Sequence, residues 1–381
     1  MEKYIDTAPG PETWEDHRAF HCAPTIARTA GGRLFAGLMT GGVTESIDNV
    51  NIVMMSDDNG DTWTHPILAV YTDFEKKVYH SNIQLWIDPY NRLWVCWAKA
   101  PYDESEGYTE GSIRGKMIQF DFKHISGTAA VICNDPDADT LVWSEVRDVC
   151  DGMLRCQPIV TKSGKWIFPA YDLINERDNY YLRFSDDEGK TFYNVKASSK
   201  RGSYCWDETM IYESLDGRML RYLVRTYANA ARASESYDGG KTWTETYNYM
   251  PHPSSRVYIG RLPSGLLAMV RNIDGDYRAR IGMKVCLSDD EGETWKWELT
   301  LDTRTDVSYP DLCAGDGYIY IVYDRERDNS IRLNTETWTS DAAKEILLAK
   351  LTEEDIKSGK LAEGSYIQRV ITKAGINYVE K

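Results

Sequence analysis

The sequence predicts an all-β chain folded as a six-bladed β-propeller. Three observations carry that expectation: one eight-residue turn that recurs four times, six apolar hairpin segments of a single pattern, and 42% apolar content that includes 25 Tyr and 12 Trp in 381 residues. The turn reads SDDNGDTW at 56–63, SDDEGKTF at 185–192, SYDGGKTW at 236–243 and SDDEGETW at 288–295. Asp and Gly admit positive φ at a tight corner, an Asp carboxylate accepts backbone N–H groups, and the closing Trp or Phe buries apolar surface under the turn. The serines stand 129, 51 and 52 residues apart, so the later copies share a period near fifty residues, as repeat arrays do. Asp57, Asp186, Asp238 and Asp289, with their aromatic partners, are therefore expected to serve stability and not turnover.

The six hairpins follow in chain order at 23–38, 81–97, 157–171, 208–225, 256–271 and 309–325. Each is an apolar run rich in β-branched and aromatic residues, a Gly-, Asp- or Asn-containing turn, and a second apolar run, which is the pattern of two paired strands. Six copies predict six blades, each hairpin forming the inner half of a four-stranded sheet, with radial repetition protecting the edges. No Pro/Ser-rich linker interrupts them, so residues 1–381 are expected to form a single propeller domain. Residues 98–150 read as an irregular acidic insertion. Within it Asp135, Asp137 and Asp139 resemble a calcium loop but lack its sixth-position Gly and twelfth-position acid, and a solvated loop is the better expectation. Near the end, a capping pattern from Thr352 to Asp355 before Gly359 predicts one short helix.

Composition bounds the function classes. A formal charge of −15 argues against nucleic acid or an anionic membrane surface as partner, while leaving room for a small anion held by local arginines. No apolar run reaches the length of a membrane span and the acidic start is unlike a signal peptide, so a cytoplasmic chain is expected. Cysteines at 22, 96, 133, 150, 156, 205, 286 and 313 show no CxxC spacing, and neither a zinc site nor a disulfide framework is expected. No phosphate loop, dinucleotide fingerprint or metal cluster is legible, so no cofactor is expected. The oligomeric state is open.

Chemistry in a propeller collects where the first residues of the inner strands converge on the axis. At or just before those starts stand His21, His80, Arg155, Glu208, Arg256 and Tyr309. All six ionise or donate hydrogen bonds, and acid/base groups gathered in one cleft mark a functional site.

The recurring turns are similar to the Asp-boxes of the sialidase superfamily, and the likeness runs over about residues 20 to 350. It implies a six-bladed propeller whose boxes face away from the active site. In ETMIYESLDGRMLRYLVR it implies Glu208 as the residue that activates the nucleophile and Arg225 as the second arginine of a carboxylate-binding triad. It implies Tyr309, in SYPDL, as the nucleophile. In YRARIGMKVC it implies Arg280, or its same-face neighbour Arg278, as the third arginine. The acid/base carboxylate is implied within 42–58, where Glu45 and Asp48 both qualify. One departure is plain: where that family begins its first inner strand with an R-I-P-like motif, this chain reads RAFHCAPTI, with Cys22 at the equivalent distance before Pro24 and His21 beside it. Arg18 and Arg28 are out of register. Guanidinium suits a sugar carboxylate because it binds planar anions bidentately, and a tyrosine nucleophile avoids setting a carboxylate against the substrate's charge.

Three functions are consistent with these residues. The first is an exo-acting glycoside hydrolase on an acidic sugar or oligosaccharide, with Tyr309 and Glu208 as nucleophile and base, and with Arg155, Arg225, Arg256, Arg278 or Arg280 and His80 toward the substrate. The second is a lyase on uronate-containing glycans in which His21 or His80 abstracts a proton and Tyr309 protonates the leaving oxygen. The third is a glycan-binding propeller without catalysis.

Overall fold

A computed structural model of the chain describes residues 2–42, 47, 49–102, 126–171, 180–198, 204–275, 280–325 and 344–375. Every sheet in it is an antiparallel meander taken in chain order. The first holds β2 (His21–Arg28), β3 (Leu34–Thr40), β4 (Val50–Ser56) and β5 (Leu68–Val70), with β1 (Ile5–Asp6) added at its outer edge. The second holds β6 (Val78–Ile87), β7 (Leu93–Pro101), β8 (Gly127–Cys133) and β9 (Arg147–Cys150), and the third β10 (Ile159–Val160), β11 (Trp166–Phe168), β12 (Tyr180–Ser185) and β13 (Tyr193–Ser198). The fourth holds β14 (Tyr204–Glu213), β15 (Leu220–Thr226), β16 (Ala230–Ser236) and β17 (Tyr247–Pro251). The fifth holds β18 (Tyr258–Arg261), β19 (Leu267–Arg271), β20 (Ile281–Ser288) and β21 (Trp297–Thr305), and the sixth β22 (Val307–Gly315), β23 (Tyr318–Arg325), β24 (Glu345–Leu351) and β25 (Tyr366–Lys373). These are the six blades.

The inner strands read as unbroken apolar runs because each blade is covered on both faces by its neighbours. LFAGLMT in β3 is buried at every position, whereas WELTLDTRT in the outer β21 alternates. The core accordingly lies between blades: Phe35, Val53, Leu85 and Trp97 fill the gap between the first and second, and Trp94, Trp166 and Phe168 that between the second and third.

All four boxes join a third strand to a fourth. The carboxylate that shapes each turn stands two residues after the serine, at Asp58, Asp187, Asp238 and Asp290, accepting the serine hydroxyl and the N–H and hydroxyl of the threonine four residues on. This shifts the expectation by one residue in three boxes, since Asp57, Asp186 and Asp289 point outward to Arg33, Lys165 and Lys296. The donors from Thr191 and Ser185 hold Asp187, and those from Thr242 and Ser236 hold Asp238, down at about 2. Each box also wedges against the preceding blade. Gly240 has φ 89°, and a Cβ there would stand 2.5 Å from the Phe184 ring of blade three. Gly240→Ala is expected to destabilise by about 1–3 kcal/mol through strain and overpacking. Chemical denaturation would read this as a lowered midpoint; an unshifted midpoint would refute the wedge.

The two blades without a box fill the same place differently, and this corrects the reading of 98–150 as an insertion. Residues 127–133 and 147–150 are the third and fourth strands of blade two, and the segment between them laps over blade one. There Asp137 accepts the Thr29 hydroxyl, Gly31 N (3.1 Å) and Asn91 Nδ2 (2.9 Å), while Arg33 Nη1 donates to the carbonyls of Pro136 and Ala138. Asp137 is thus a bolt between blades. In blade six the connection is helix α1 (Glu353–Ser358), capped reciprocally by Thr352 and Asp355 and ended at Gly359 with φ 70°. The ring closes where residues from the two ends meet: Arg18 Nη2 donates to Thr372 Oγ1 at 3.1 Å and Gly375 N to the Glu15 carbonyl at 2.7 Å. Among the described residues no helix is long and apolar enough to cross a membrane.

Candidate active site

Three inner strands begin with one irregularity. The pairing of β2, β6 and β22 slips between Cys22 and Thr25, Ser81 and Gln84, and Ser308 and Asp311. In each slip one residue takes positive φ: Ala23 at 50°, Asn82 at 57° and Tyr309 at 52°. A bulge of this kind re-aims a side chain at a functional rim. Two residues further on, the chains meet across the axis. Gln84 Nε2 donates to Thr25 Oγ1 (2.7 Å), Thr25 Oγ1 to Asp311 Oδ2 (2.6 Å) and Gln157 Nε2 to Asp311 Oδ1 (3.1 Å). Burial pushes Asp311 above the usual carboxylate range despite Arg256 and these donors. On the box side of this plug lies a cavity of about 310 Å³ lined in part by Gln157, Met210 and Tyr258.

Above the plug the axial positions are Ala23, Asn82, Arg155, Glu208, Arg256 and Tyr309. Glu208 sits in a fourth register slip, in β14, and Arg225 near the end of the paired β15. Arg225 Nη1 donates to Glu208 Oε2 at 2.9 Å and to the Tyr309 hydroxyl at 3.1 Å, so one guanidinium links the two. Its Nε reaches Ser254 Oγ at 3.3 Å. Arg155 Nη2 stands 3.7 Å from Glu208 Oε1, and among the described residues neither atom has a hydrogen-bond partner. The guanidinium carbons of Arg155, Arg256 and Arg280 lie 5.2, 5.6 and 5.1 Å from the Tyr309 ring centre. Burial works against the charge on Glu208, but Arg225, Arg155 and Arg256 outweigh it and hold the carboxyl below its ordinary range.

Arg256 has a different task. Its Nη1 donates to the Arg155 carbonyl at 2.7 Å, and its Nη2 to the carbonyls of Pro24 (3.2 Å), Tyr309 (3.2 Å) and Pro310 (2.8 Å). That makes it a strut joining blades one, three and six, and corrects its expected place among substrate-binding arginines.

The two histidines do not join the cluster. The bulges shift the axial position two residues on, to Ala23 and Asn82. His80 Nδ1 donates to the Tyr71 carbonyl (2.7 Å) and the ring packs against those of Tyr4 and Trp97, with burial pushing it down to about 4. His21 is fully buried beside Arg18, and burial followed by that charge keeps it neutral. Glu45, Asp48 and Arg278 lie outside the described residues. Cys22 is buried in an apolar wall with Met39, Ile47, Tyr79, Ala100 and the Tyr309 ring.

Sequence reading missed Ser254, His252 and Asp324. His252 is buried near Arg271, Arg225 and Arg280 and pushed down to about 3, burial being the main cause. Asp324 accepts the Ser308 hydroxyl (2.6 Å) and Ala23 N (3.0 Å), tying the first and last inner strands beside the Tyr309 bulge. The shared A-P-T and Y-P-D triplets at 23–25 and 309–311 were the available signal for the bulges. Burial raises Asp324 to about 6 against the opposing hydrogen bonds and Arg280. Because the folded state holds this proton more tightly than the unfolded chain, stability from Asp324 rises as pH falls from about 7 toward about 4, by on the order of 3 kcal/mol. Asp324→Asn is expected to flatten that part of a denaturation midpoint-versus-pH curve; an unchanged slope would contradict the assignment.

Residues 132–321 match the family described as BNR repeat-like domain. Among solved structures, the intramolecular trans-sialidase from Ruminococcus gnavus shares 14% identity, covering 91% of this chain and 97% of that one, with a TM-score of 0.67. The leech intramolecular trans-sialidase shares 15% over 91% and 70% (TM-score 0.66), and the NanB sialidase from Streptococcus pneumoniae 14% over 90% and 70% (TM-score 0.65). No curated protein matches the sequence. At these identities the structural likeness establishes the fold alone, a six-bladed β-propeller.

Proposed function

Starting from a chain with the six-bladed propeller fold of those structures, we propose that it is an exo-acting glycoside hydrolase for a sugar bearing a carboxylate. The observation that carries this is the Arg225 Nη1 contact shared by Glu208 and Tyr309 within a buried group of guanidinia. In this reading Tyr309 Oη attacks the anomeric carbon and the glycosidic C–O bond breaks. The phenolic proton passes to Glu208, whose Oε1 has no hydrogen-bond partner among the described residues. A carboxylic acid from the 42–58 segment, Glu45 or Asp48, protonates the leaving oxygen, and water then cleaves the sugar–tyrosine bond, returning the enzyme. The guanidinia stabilise negative charge at the phenolic oxygen and orient the substrate carboxylate without reorganising.

The solved neighbours named as sialidases and trans-sialidases support the acidic-glycan class. The lyase alternative loses its bases, since His21 and His80 stand apart from Tyr309. The test is a panel of acidic oligosaccharides, including sialylated and uronate-containing ones, with products read by mass spectrometry. Products that carry added water are expected. An unsaturated product would favour elimination, and binding without turnover would leave the glycan-binding reading.

A further inference from the structure

The cavity on the box side of the plug belongs to three blades. Its described lining comes from 157–160, 162, 210–215 and 258–261, where β10, β14 and β18 form the inner edges of blades three, four and five. An inner-edge strand pairs on one side only, so every second residue turns a backbone N–H and C=O toward the axis. At about 310 Å³ the space is roughly ten times the share of one liquid water and reaches the size of small-molecule sites.

Charge at the mouth is already committed. Lys162 Nζ donates to the Leu215 carbonyl, and Lys162 N donates to Glu213 Oε2 at 2.7 Å. All three Arg261 nitrogens are engaged: Nη1 with the Gly265 carbonyl (2.8 Å), Nε and Nη2 with the Glu213 carbonyl (3.3 and 2.8 Å), and Nη2 also with the Glu291 carboxylate. Two cations stand against two carboxylates, so no net charge here selects an ion. A neutral ligand fits such a mouth better.

Deeper in, two polar groups have no hydrogen-bond partner among the described residues. Gln157 Nε2 faces three oxygens, Asp311 Oδ1 (3.1 Å), the Leu312 carbonyl (3.0 Å) and the Ile26 carbonyl (3.3 Å). That fixes the amide and leaves Oε1 as the open acceptor. The second group is the hydroxyl of Tyr258, a residue only 7% exposed. Its ring lies over Gly260, where a Cβ would stand 2.5 Å from that hydroxyl. Gly260 takes no positive φ, so what this glycine supplies is room for the phenol. Burial, with Asp311 adding to it, holds the phenol far above its ordinary range, and it stays an O–H. Leu215, 52% exposed, completes the mouth as an apolar lip.

We infer that this cavity is a second ligand site, separate from the arginine cluster above the plug, for a neutral vicinal diol of the kind a monosaccharide carries. Gln157 Oε1 can only accept, and the Tyr258 hydroxyl can donate or accept. Adjacent hydroxyls serve both groups, whereas a carboxylate has no proton for Gln157 and a hydrocarbon serves neither. The half-buried Ile159 and Val160 and the Leu215 lip offer apolar surface to the C–H edges of the ring. Occupancy of this site does not depend on what the axial arginines bind.

Ligand-observed NMR titration tests it, with D-galactose as the monosaccharide and glycerol as the free polyol, on the parent, Tyr258→Phe and Leu215→Ala. D-galactose is expected to bind the parent, and to bind it more tightly than glycerol. Tyr258→Phe removes an oxygen that no described group holds, so its denaturation midpoint is expected to match or exceed the parent's while D-galactose affinity falls about three- to tenfold. Leu215→Ala, at an exposed position, is expected to fold and to weaken D-galactose in the same direction. Excess N-acetylneuraminate is expected to leave the D-galactose titration unchanged, because the mouth has no uncommitted cation for an acid. No binding by the parent, equal affinity in parent and Tyr258→Phe, or displacement by N-acetylneuraminate would overturn the inference and leave the proposed hydrolase standing. A lowered midpoint in Tyr258→Phe would show that the hydroxyl is already held within the protein, against the inference. Glycerol bound as tightly as D-galactose would overturn the assignment to a monosaccharide.

Discussion

Tyr309→Phe is expected to lower turnover of an acidic glycoside by about 10³-fold or more while the chain still folds. The substitution removes one oxygen, the atom held 3.1 Å from Arg225 Nη1 and the one that would bond to the anomeric carbon. Phe keeps the ring, and with it the packing against Cys22, Met39 and Tyr79 and the contacts to Arg155, Arg256 and Arg280. Loss of one hydrogen bond to a charged donor costs roughly 1–3 kcal/mol of stability, too little to unfold a chain of this size. Equilibrium binding of an acidic sugar is expected to stay within a few-fold of the parent, since the arginines remain. A Phe variant that turns over substrate at more than about a tenth of the parent rate would remove Tyr309 from the chemistry. The same comparison in Glu208→Gln would then show whether the carboxylate acts alone.

Arg256→Met is expected to be the most damaging single change to stability. Its guanidinium occupies the axis and donates to the carbonyls of Pro24, Arg155, Tyr309 and Pro310. Each buried acceptor stripped of its donor costs about 1–3 kcal/mol, so the loss is on the order of 5 kcal/mol, a large share of a typical folding free energy. Met fills similar length but donates nothing. The denaturation midpoint should fall steeply, and acid-sugar binding should fall with it only as far as the Tyr309 bulge relaxes. A midpoint unchanged from the parent, together with lost acid binding, would return Arg256 to the ligand-binding residues.

The propeller was legible because its determinants are local and repeated. Ser, Asp, Gly and an aromatic residue at fixed offsets need only their own backbone to make a box, and a run such as LFAGLMT declares a strand covered on both faces wherever it lies. Glu208 and Tyr309 were likewise legible, as residues of suitable chemistry at the starts of inner hairpins, and Arg225 through the sialidase resemblance. The axial register itself was not. A bulge inserts one residue and turns the next side chains to new directions, so counting back from a hairpin led to His21 and His80, where the folded chain presents Ala23 and Asn82. Nor does an arginine's letter reveal whether its donors are committed: Arg256 spends both terminal nitrogens on carbonyls from three blades, and Arg155 keeps one. Asp324 looked like a strand residue until Ala23, some three hundred positions away in sequence, came to lie against it. The sequence by itself determined what repeats along the chain, because hairpins and boxes are settled between near neighbours. Only the tertiary structure decided which side chains share the axis and which of their charges are left over, because those depend on six strands meeting at distances no local spacing encodes.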